Sequence, residues 1–252
     1  MSTDIRLFTE HDLQADCLIS LEADQAHYIN NVMRLNVGDG LRLFNARAGE
    51  WTSEIIEARK KRCVLKVGKQ VREQEETPDL WLVFAPIKKQ RLDFIIEKAT
   101  ELGVSSLQPV ITRRTIVSKI RNDRLHAQAI EASEQCERLN IPDVKDAVSL
   151  AQLVKDWPQD RRLFVLDEHG GAAPIHEALM SHKEGAHAFL TGPEGGFDAT
   201  ELDLLRKLPF VTPISLGPRI LRADTAALAA ISCWQSVIGD WQVPLRNRFG
   251  EE

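Results

Sequence analysis

Leu190-Thr191-Gly192-Pro193-Glu194-Gly195-Gly196-Phe197-Asp198 is the stretch on which the fold turns. It leaves the apolar run Ala186–Leu190, which reads as a strand, and reaches Asp198 with Glu201 three residues later. That spacing is a capping box, and it predicts a helix through Leu208. A strand that empties into glycines and then starts a helix belongs to an α/β sheet. Two neighbouring segments repeat the design. Strand Leu163–Leu166 leads to Asp167-Glu168-His169-Gly170-Gly171, and strand Val211–Leu216 leads to Gly217-Pro218-Arg219-Ile220-Leu221-Arg222. Ligands of open α/β sheets sit at the carboxyl ends of strands, and glycine lets backbone groups approach them closely. Any one of these loops reads as a turn. Three in succession point to a site whose main-chain groups cradle a ligand of adenosine size.

Working outward, Leu80-Trp81-Leu82-Val83-Phe84 is an apolar run typical of a strand covered on both faces. A helix is expected from about Gln90 to Leu102, with Leu92, Ile95, Ile96, Ala99 and Leu102 on one face and Gly103 closing it. Leu125, Ala129, Ala132, Cys136 and Leu139 give a second helix from about Asn122 to Leu139. The last helix is expected to start with Asp224 as its N-cap and to end near Gly239. Its Ala226–Ile231 stretch is apolar on nearly all sides, which predicts burial in the core or in a subunit interface. Residues 1–72 read differently. Short strands at Leu41–Phe44 and Val64–Val67 lie between turns at Gly38-Asp39-Gly40 and Arg47-Ala48-Gly49, with a helix from about Glu22 to Arg34, and suggest a small barrel. Residues 73–79 are acidic with nothing to bury, and read as a linker. The domain expectation is therefore 1–72, linker 73–79, and 80–252.

Bulk properties exclude several classes. The 252 residues contain no apolar run long enough to span a bilayer, and the first residues do not resemble a secretion signal. Cys17, Cys63, Cys136 and Cys233 are scattered, which argues against a zinc site or disulfide framework and suits the cytosol. No Gly-x-Gly-x-x-Gly fingerprint, P-loop or Gly-x-Ser-x-Gly elbow occurs. The net charge of −5 hides a basic segment, since residues 80–126 hold 9 Lys and Arg against 4 Asp and Glu. Local charge governs phosphate binding, so Lys88, Lys89, Arg91, Arg113, Arg114, Lys119, Arg121 and Arg124 are candidates for a nucleic-acid track. The alternative is a solvated face.

The motifs resemble a known family. Thr191–Phe197 followed by Glu201, and Leu216–Arg222 followed by Thr225-Ala226, are similar to hallmarks of the ribosomal RNA small subunit methyltransferase E family of the SPOUT (trefoil-knot) superfamily. Ile95–Gly103, Glu134–Arg138, and Asn31–Leu35 with Gly38-Asp39 match the same family in the same order. The resemblance spans essentially the whole chain. It implies a PUA-like β-barrel followed by a mostly parallel α/β sheet with flanking helices whose chain forms a trefoil knot. It further implies a cytoplasmic homodimer that uses S-adenosylmethionine, without a metal, to methylate N3 of one uridine in 16S rRNA of the small ribosomal subunit. Another base or a ribose 2′-hydroxyl is the alternative within the superfamily, and a non-catalytic PUA-type RNA-binding protein the alternative outside it.

Carried onto this sequence, the cofactor would be held by Leu166, Leu190, Thr191, Gly192, Pro193, Glu194, Gly195, Gly196, Leu216, Gly217, Ile220, Leu221 and Arg222. RNA would meet Arg34, Lys88, Lys89, Arg91, Arg113, Arg114 and Arg138, the last equally readable as a helix-surface ion pair. Arg222, Glu194 and Arg114 are the candidates for the chemistry. Arg222 would stabilise a developing uracil oxygen anion or grip a phosphate, or else pair with Asp224. Glu194 would orient the base or accept its N3 proton, or else cap nearby N–H groups. Two positions depart from the family pattern: Asp224 stands where Glu is common, and Thr115 where Ser is common.

Overall fold

The computed structural model describes residues 5–59, 62–117 and 120–244. Lys119 lies outside the described residues. The chain forms two compact units. One runs up to Glu76 and includes Ile130–Ile141; the other comprises Thr77–Ala129 and the chain from Pro142 onward.

In the N-terminal unit the order is β1 (Arg6–Phe8), β2 (Leu18–Ser20), α1 (Ala23–His27), a π-helical turn (Tyr28–Val32), β3 (Gly40–Asn45), β4 (Gly49–Arg59) and β5 (Arg62–Arg72). The five strands make one sheet in the order β1-β3-β4-β5-β2. β1 pairs with β3 in parallel and the other neighbours are antiparallel. Register shifts between β4 and β5 bend the sheet around a core of Leu7, Ile19, Ile29, Leu41, Leu43, Ile55 and Leu65. The expected helix from Glu22 to Arg34 is thus one short α-turn that widens into a π-turn, and Arg34 lies beyond it with φ +57°. The β3–β4 turn is closed by Asn45, whose side-chain oxygen accepts from the N–H groups of Arg47 (3.1 Å) and Ala48 (2.8 Å). Gly49 has φ +74°, and a Cβ there would lie 2.1 Å from the carbonyl oxygen of Arg72. Only glycine fits.

The segment Ile130–Ile141 is tied to this sheet by arginines. Arg6 Nη1 donates to the carbonyls of Ser133 (2.9 Å) and Glu134 (3.1 Å), and Arg6 Nη2 to that of Arg138 (3.1 Å). Arg72 Nη1 donates to the carbonyl of Glu137 (2.7 Å), where the chain turns left-handed at φ +63°. These carbonyls lie at a helix end and need outside donors. Both arginines also bind Glu50, which is fully buried, at 2.7 Å and 3.3 Å. Glu134 accepts from the N–H of Phe8 at 2.9 Å. Burial pushes its carboxyl up to about 7, with Glu131 adding to the rise and the Phe8 N–H and Arg6 opposing it. The folded state therefore binds this proton more tightly than the unfolded chain. The stabilisation is complete below the ordinary value of 4.5 and is lost as pH rises through about 7. Glu134→Gln should accordingly gain urea resistance relative to the native chain between about pH 5 and about pH 8. A difference that stays constant over that range would exclude Glu134 as the titrating group.

In the C-terminal unit β6 (Leu80–Phe84), α2 (Lys89–Glu101) and β7 (Ser106–Ile111) are followed by α3 (Asn122–Cys136), which ends in the N-terminal unit. Then come β8 (Asp143–Val144), β9 (Val148–Ser149), α4 (Leu150–Lys155), β10 (Arg161–Leu166), β11 (Ala173–Pro174), α5 (Ile175–Ser181), β12 (Ala186–Thr191), α6 (Ala199–Arg206), β13 (Val211–Ser215) and α7 (Ala223–Val237). The eight strands form one parallel sheet in the order β11-β13-β10-β12-β6-β7-β8, with β9 also on β7. One core cluster joins Trp157, Phe197, Leu202, Leu205 and Phe210 to strand residues such as Leu163 and Leu190. Elsewhere α2 packs on α7, and α7 on β12 and α5. This is the expected mostly parallel α/β sheet, following a smaller β-rich unit in the sequence.

Three details differ from expectation. α3 stops at Cys136 rather than Leu139, because the left-handed Glu137 breaks it. α6 ends at Arg206 rather than Leu208. The N-cap of α7 is Arg222, with extended backbone and no side-chain cap. Asp224 is instead in the first turn, accepting from the N–H of Thr225 at 3.0 Å, where its charge favours the helix dipole. Within the chain α7 buries one face, through Ala227, Ala230, Ile231 and Trp234, while Leu228, Ala229, Cys233 and Val237 are half-exposed.

Candidate functional site

Because β13, β10, β12 and β6 are parallel neighbours, their carboxyl ends Ser215, Leu166, Thr191 and Phe84 fall along one edge. The loops leaving the first three surround a cavity of about 610 Å³. That volume suits a nucleoside-sized ligand. Leu166, Thr191, Gly192, Pro193, Glu194, Gly196, Leu216, Gly217, Ile220, Leu221 and Arg222 all line it. Leu190 is packed into the sheet core, and Gly195 is outside the lining, where its carbonyl accepts from Arg114 Nη1 at 3.0 Å.

Loop shape follows from the local chemistry. Gly196 has φ +68°, a left-handed backbone that favours glycine, and the exposed Glu168 carboxylate of the first loop lies over it, 2.3 Å from where a Cβ would stand. The Ser215 hydroxyl accepts from the N–H of Gly217 at 3.2 Å and folds the third loop back. Asp167, which sequence reasoning did not single out, anchors the first. Its buried carboxylate takes Arg206 Nη2 at 2.5 Å and the N–H of His169 at 2.9 Å. A carboxylate directly after a strand was the available signal; its partner lies 39 residues away.

The lining carries polar groups without partners among the described residues. Thr191 is 1% exposed and its hydroxyl has no hydrogen-bond partner. The residue lines the cavity, and its hydroxyl is a buried polar group still to be satisfied. Arg91 also lines the cavity, and among the described residues neither it nor Arg222 has an acid within ion-pair distance. The alternative pairing of Arg222 with Asp224 is therefore not what the structure contains. Glu194 is exposed at the cavity and caps nothing among the described residues. No group of three or more His, Cys, Asp or Glu side chains among the described residues could hold a metal ion.

The remaining basic residues divide. Lys88 and Lys89 are exposed at the start of α2 without an acid partner among the described residues. Arg121 pairs with Asp123 at 2.6 Å, and Arg124 with Asp93. Arg138 donates to Asn140 at 3.3 Å in the N-terminal unit, where Arg34 also lies. Arg113 and Arg114 occupy a tight turn after β7. Thr115 closes it, its hydroxyl accepting from the N–H of Thr112 at 2.9 Å. A serine hydroxyl would do the same, so the departure at this position leaves the turn intact. Arg113 Nη1 meets Asp198 Oδ1 at 3.2 Å, and Arg114 Nη2 meets Asp198 Oδ2 at 3.9 Å. The Asp198 carboxyl lies below its ordinary value, first through the hydroxyl and N–H of Thr200 and then through these arginines.

Comparisons with known proteins converge. The RNA methyltransferase domain family matches residues 74–235, and the RNA methyltransferase PUA domain family matches residues 21–68. The ribosomal RNA small subunit methyltransferase E of Rickettsia conorii is 34% identical over 90% of this chain and 93% of its own. That of Bacillus subtilis is 30% identical over 89% and 92%. The crystal structure of the ribosomal RNA small subunit methyltransferase E from Neisseria gonorrhoeae, bound to S-adenosyl methionine, superposes with a TM-score of 0.85. It is 26% identical and covers 94% of this chain and 99% of that one. With the fold, the three-loop cavity and these matches in agreement, the chain belongs to the ribosomal RNA small subunit methyltransferase E family of SPOUT enzymes.

Proposed function

We propose that this protein transfers a methyl group from S-adenosylmethionine to N3 of a specific uridine in the 16S RNA of the small ribosomal subunit. The cavity at three adjacent strand ends carries the reading, with its unpartnered Thr191 hydroxyl and unpaired Arg91 and Arg222. The loops at Leu166, Thr191–Gly196 and Leu216–Arg222 would hold the cofactor, mainly through backbone groups. The cofactor supplies the activated methyl, leaving position and proton management to the protein. Uracil N3 must lose a proton. Glu194 is the carboxylate at hand to accept it, and Arg222 the charge to stabilise the resulting anion. The PUA-like unit, with Arg34 and Arg138, would grip rRNA outside the target, with 73–79 as the linker to the catalytic domain. Threading of the chain through a trefoil knot, a cytoplasmic location and a homodimer complete the reading. The half-exposed apolar face of α7 supports the homodimer.

Nucleoside mass spectrometry of rRNA from cells lacking this gene is the test. Loss of one N3-methyluridine is expected; loss of a ribose methyl or of another base methyl would move the substrate within the superfamily. S-adenosylmethionine should also raise the melting temperature of the purified protein. No shift at saturating cofactor would leave a non-catalytic RNA-binding protein. Affinity for an rRNA fragment should fall steeply with salt. Changing Lys88 and Lys89 together to alanine should flatten the log–log slope by roughly one to two. An unchanged slope would take both lysines off the RNA path.

A further inference from the structure

Two carboxylates on α6 and its cap hold the arginine turn after β7 against the loop after β12. Glu201 is 8% exposed and accepts two backbone N–H groups from segments far apart in sequence. Oε1 takes Arg113 at 2.8 Å, and Oε2 takes Asp198 at 3.2 Å. The capping box accounts for only the second of these. Asp198 in turn faces both guanidinium groups, and Arg114 Nη1 reaches across to the Gly195 carbonyl at 3.0 Å. The turn is also closed internally by Thr112 and Thr115, whose hydroxyls lie 2.9 Å apart. An exposed arginine ordinarily samples many rotamers. Here Arg114 is aimed by the cap carboxylate and a carbonyl, on a turn that Glu201 holds through the Arg113 N–H, although half of it is solvent-exposed.

We propose that Glu201 and Asp198 are positioning residues for catalysis, forming a clamp that fixes Arg114 beside the glycine loop so that its guanidinium meets the target nucleotide. The inference rests on the methyltransferase reading above. It assigns Asp198 a second role beside capping α6. None of Arg113, Arg114, Asp198 and Glu201 lines the cofactor cavity, so the clamp acts on the RNA side.

Asp198→Ser separates the two roles. Serine is as good an N-cap as aspartate, so α6 keeps its start, but the arginines lose their counter-charge. With the full-length protein, kcat/KM for an rRNA substrate should fall on the order of ten- to a hundred-fold, a loss that small misplacement can cause. Melting temperature and S-adenosylmethionine affinity should hold. Adding Asp198→Ser to Arg114→Ala should cost nothing further, because the clamp works through Arg114. Glu201→Ala should show the same kinetic defect with a lower melting temperature. Native kcat/KM in Asp198→Ser would overturn the proposal, as would a second loss on top of Arg114→Ala. If the native protein binds cofactor but methylates no uridine, it is the methyltransferase reading that fails, before the clamp is tested.

Discussion

Arg222→Ala is expected to slow single-turnover methyl transfer by about 10²–10³-fold, the usual loss when one donor to a developing anion is removed. Arg222 is the N-cap of α7, so its backbone is fixed by the helix, while its side chain is exposed at the cavity and has no acid partner among the described residues. A cation held without a counter-ion is ready for charge that arises only during the reaction. Negative charge spreads over the uracil ring as N3 loses its proton. The loss should therefore appear in the chemical step, with a smaller change in RNA affinity. Arg222→Lys should recover only part of the rate, since a point charge cannot reproduce the planar fork. Single-turnover rates for the two variants, alongside RNA and cofactor binding, check this. A native rate in Arg222→Lys together with weakened RNA binding would make Arg222 a phosphate contact instead.

Glu50→Ala is expected to lower unfolding stability by about 3–5 kcal/mol, because it leaves Arg6 as a buried cation without its anion. Arg6 is 6% exposed, and Glu50 is fully enclosed. Burial by itself pushes the Glu50 carboxyl up. The hydrogen bond and charge of Arg6, with Arg72 and Arg42, outweigh burial and hold it below its ordinary value. Its contribution is therefore present above the ordinary carboxylate range and is lost as pH falls through the depressed value. Exchanging both partners for apolar residues should not restore stability, unlike a simple buried pair. Arg6 also serves the carbonyls of Ser133, Glu134 and Arg138, and these would be stranded. Urea unfolding of Glu50→Ala and of Arg6→Met/Glu50→Leu measures both effects. A cost below about 1 kcal/mol for the single variant would mean that water reaches Arg6.

What the sequence made legible was local. The capping box at Asp198 and Glu201 is present as read, and α2 lies within one residue of its expected bounds, because each depends on residues three or four apart. The glycine loops were readable for the same reason. α4 and α5 went unread; six and seven residues give too little periodicity, although Ser149 capping Gln152 was a usable sign. The N-cap of α7 was misplaced because propensity favoured Asp224 over an arginine that caps with backbone alone. The Asp167–Arg206 anchor and the arginine ties to Ile130–Ile141 were out of reach. Their partners lie 39 to 132 residues apart, and nothing in either segment names the other.

Those arginine ties bear on how the protein is made. The N-terminal unit is not finished when its last strand ends at Arg72, since it also needs Ile130–Ile141. Domains generally fold in the order in which synthesis releases them. Here the first unit must wait, with Arg6 and Glu50 unsealed, until residue 141 has left the ribosome, by which time α2 and β6 are already out. A nascent chain stalled before that point would expose an incomplete sheet, and resistance to protease should appear abruptly once it is passed.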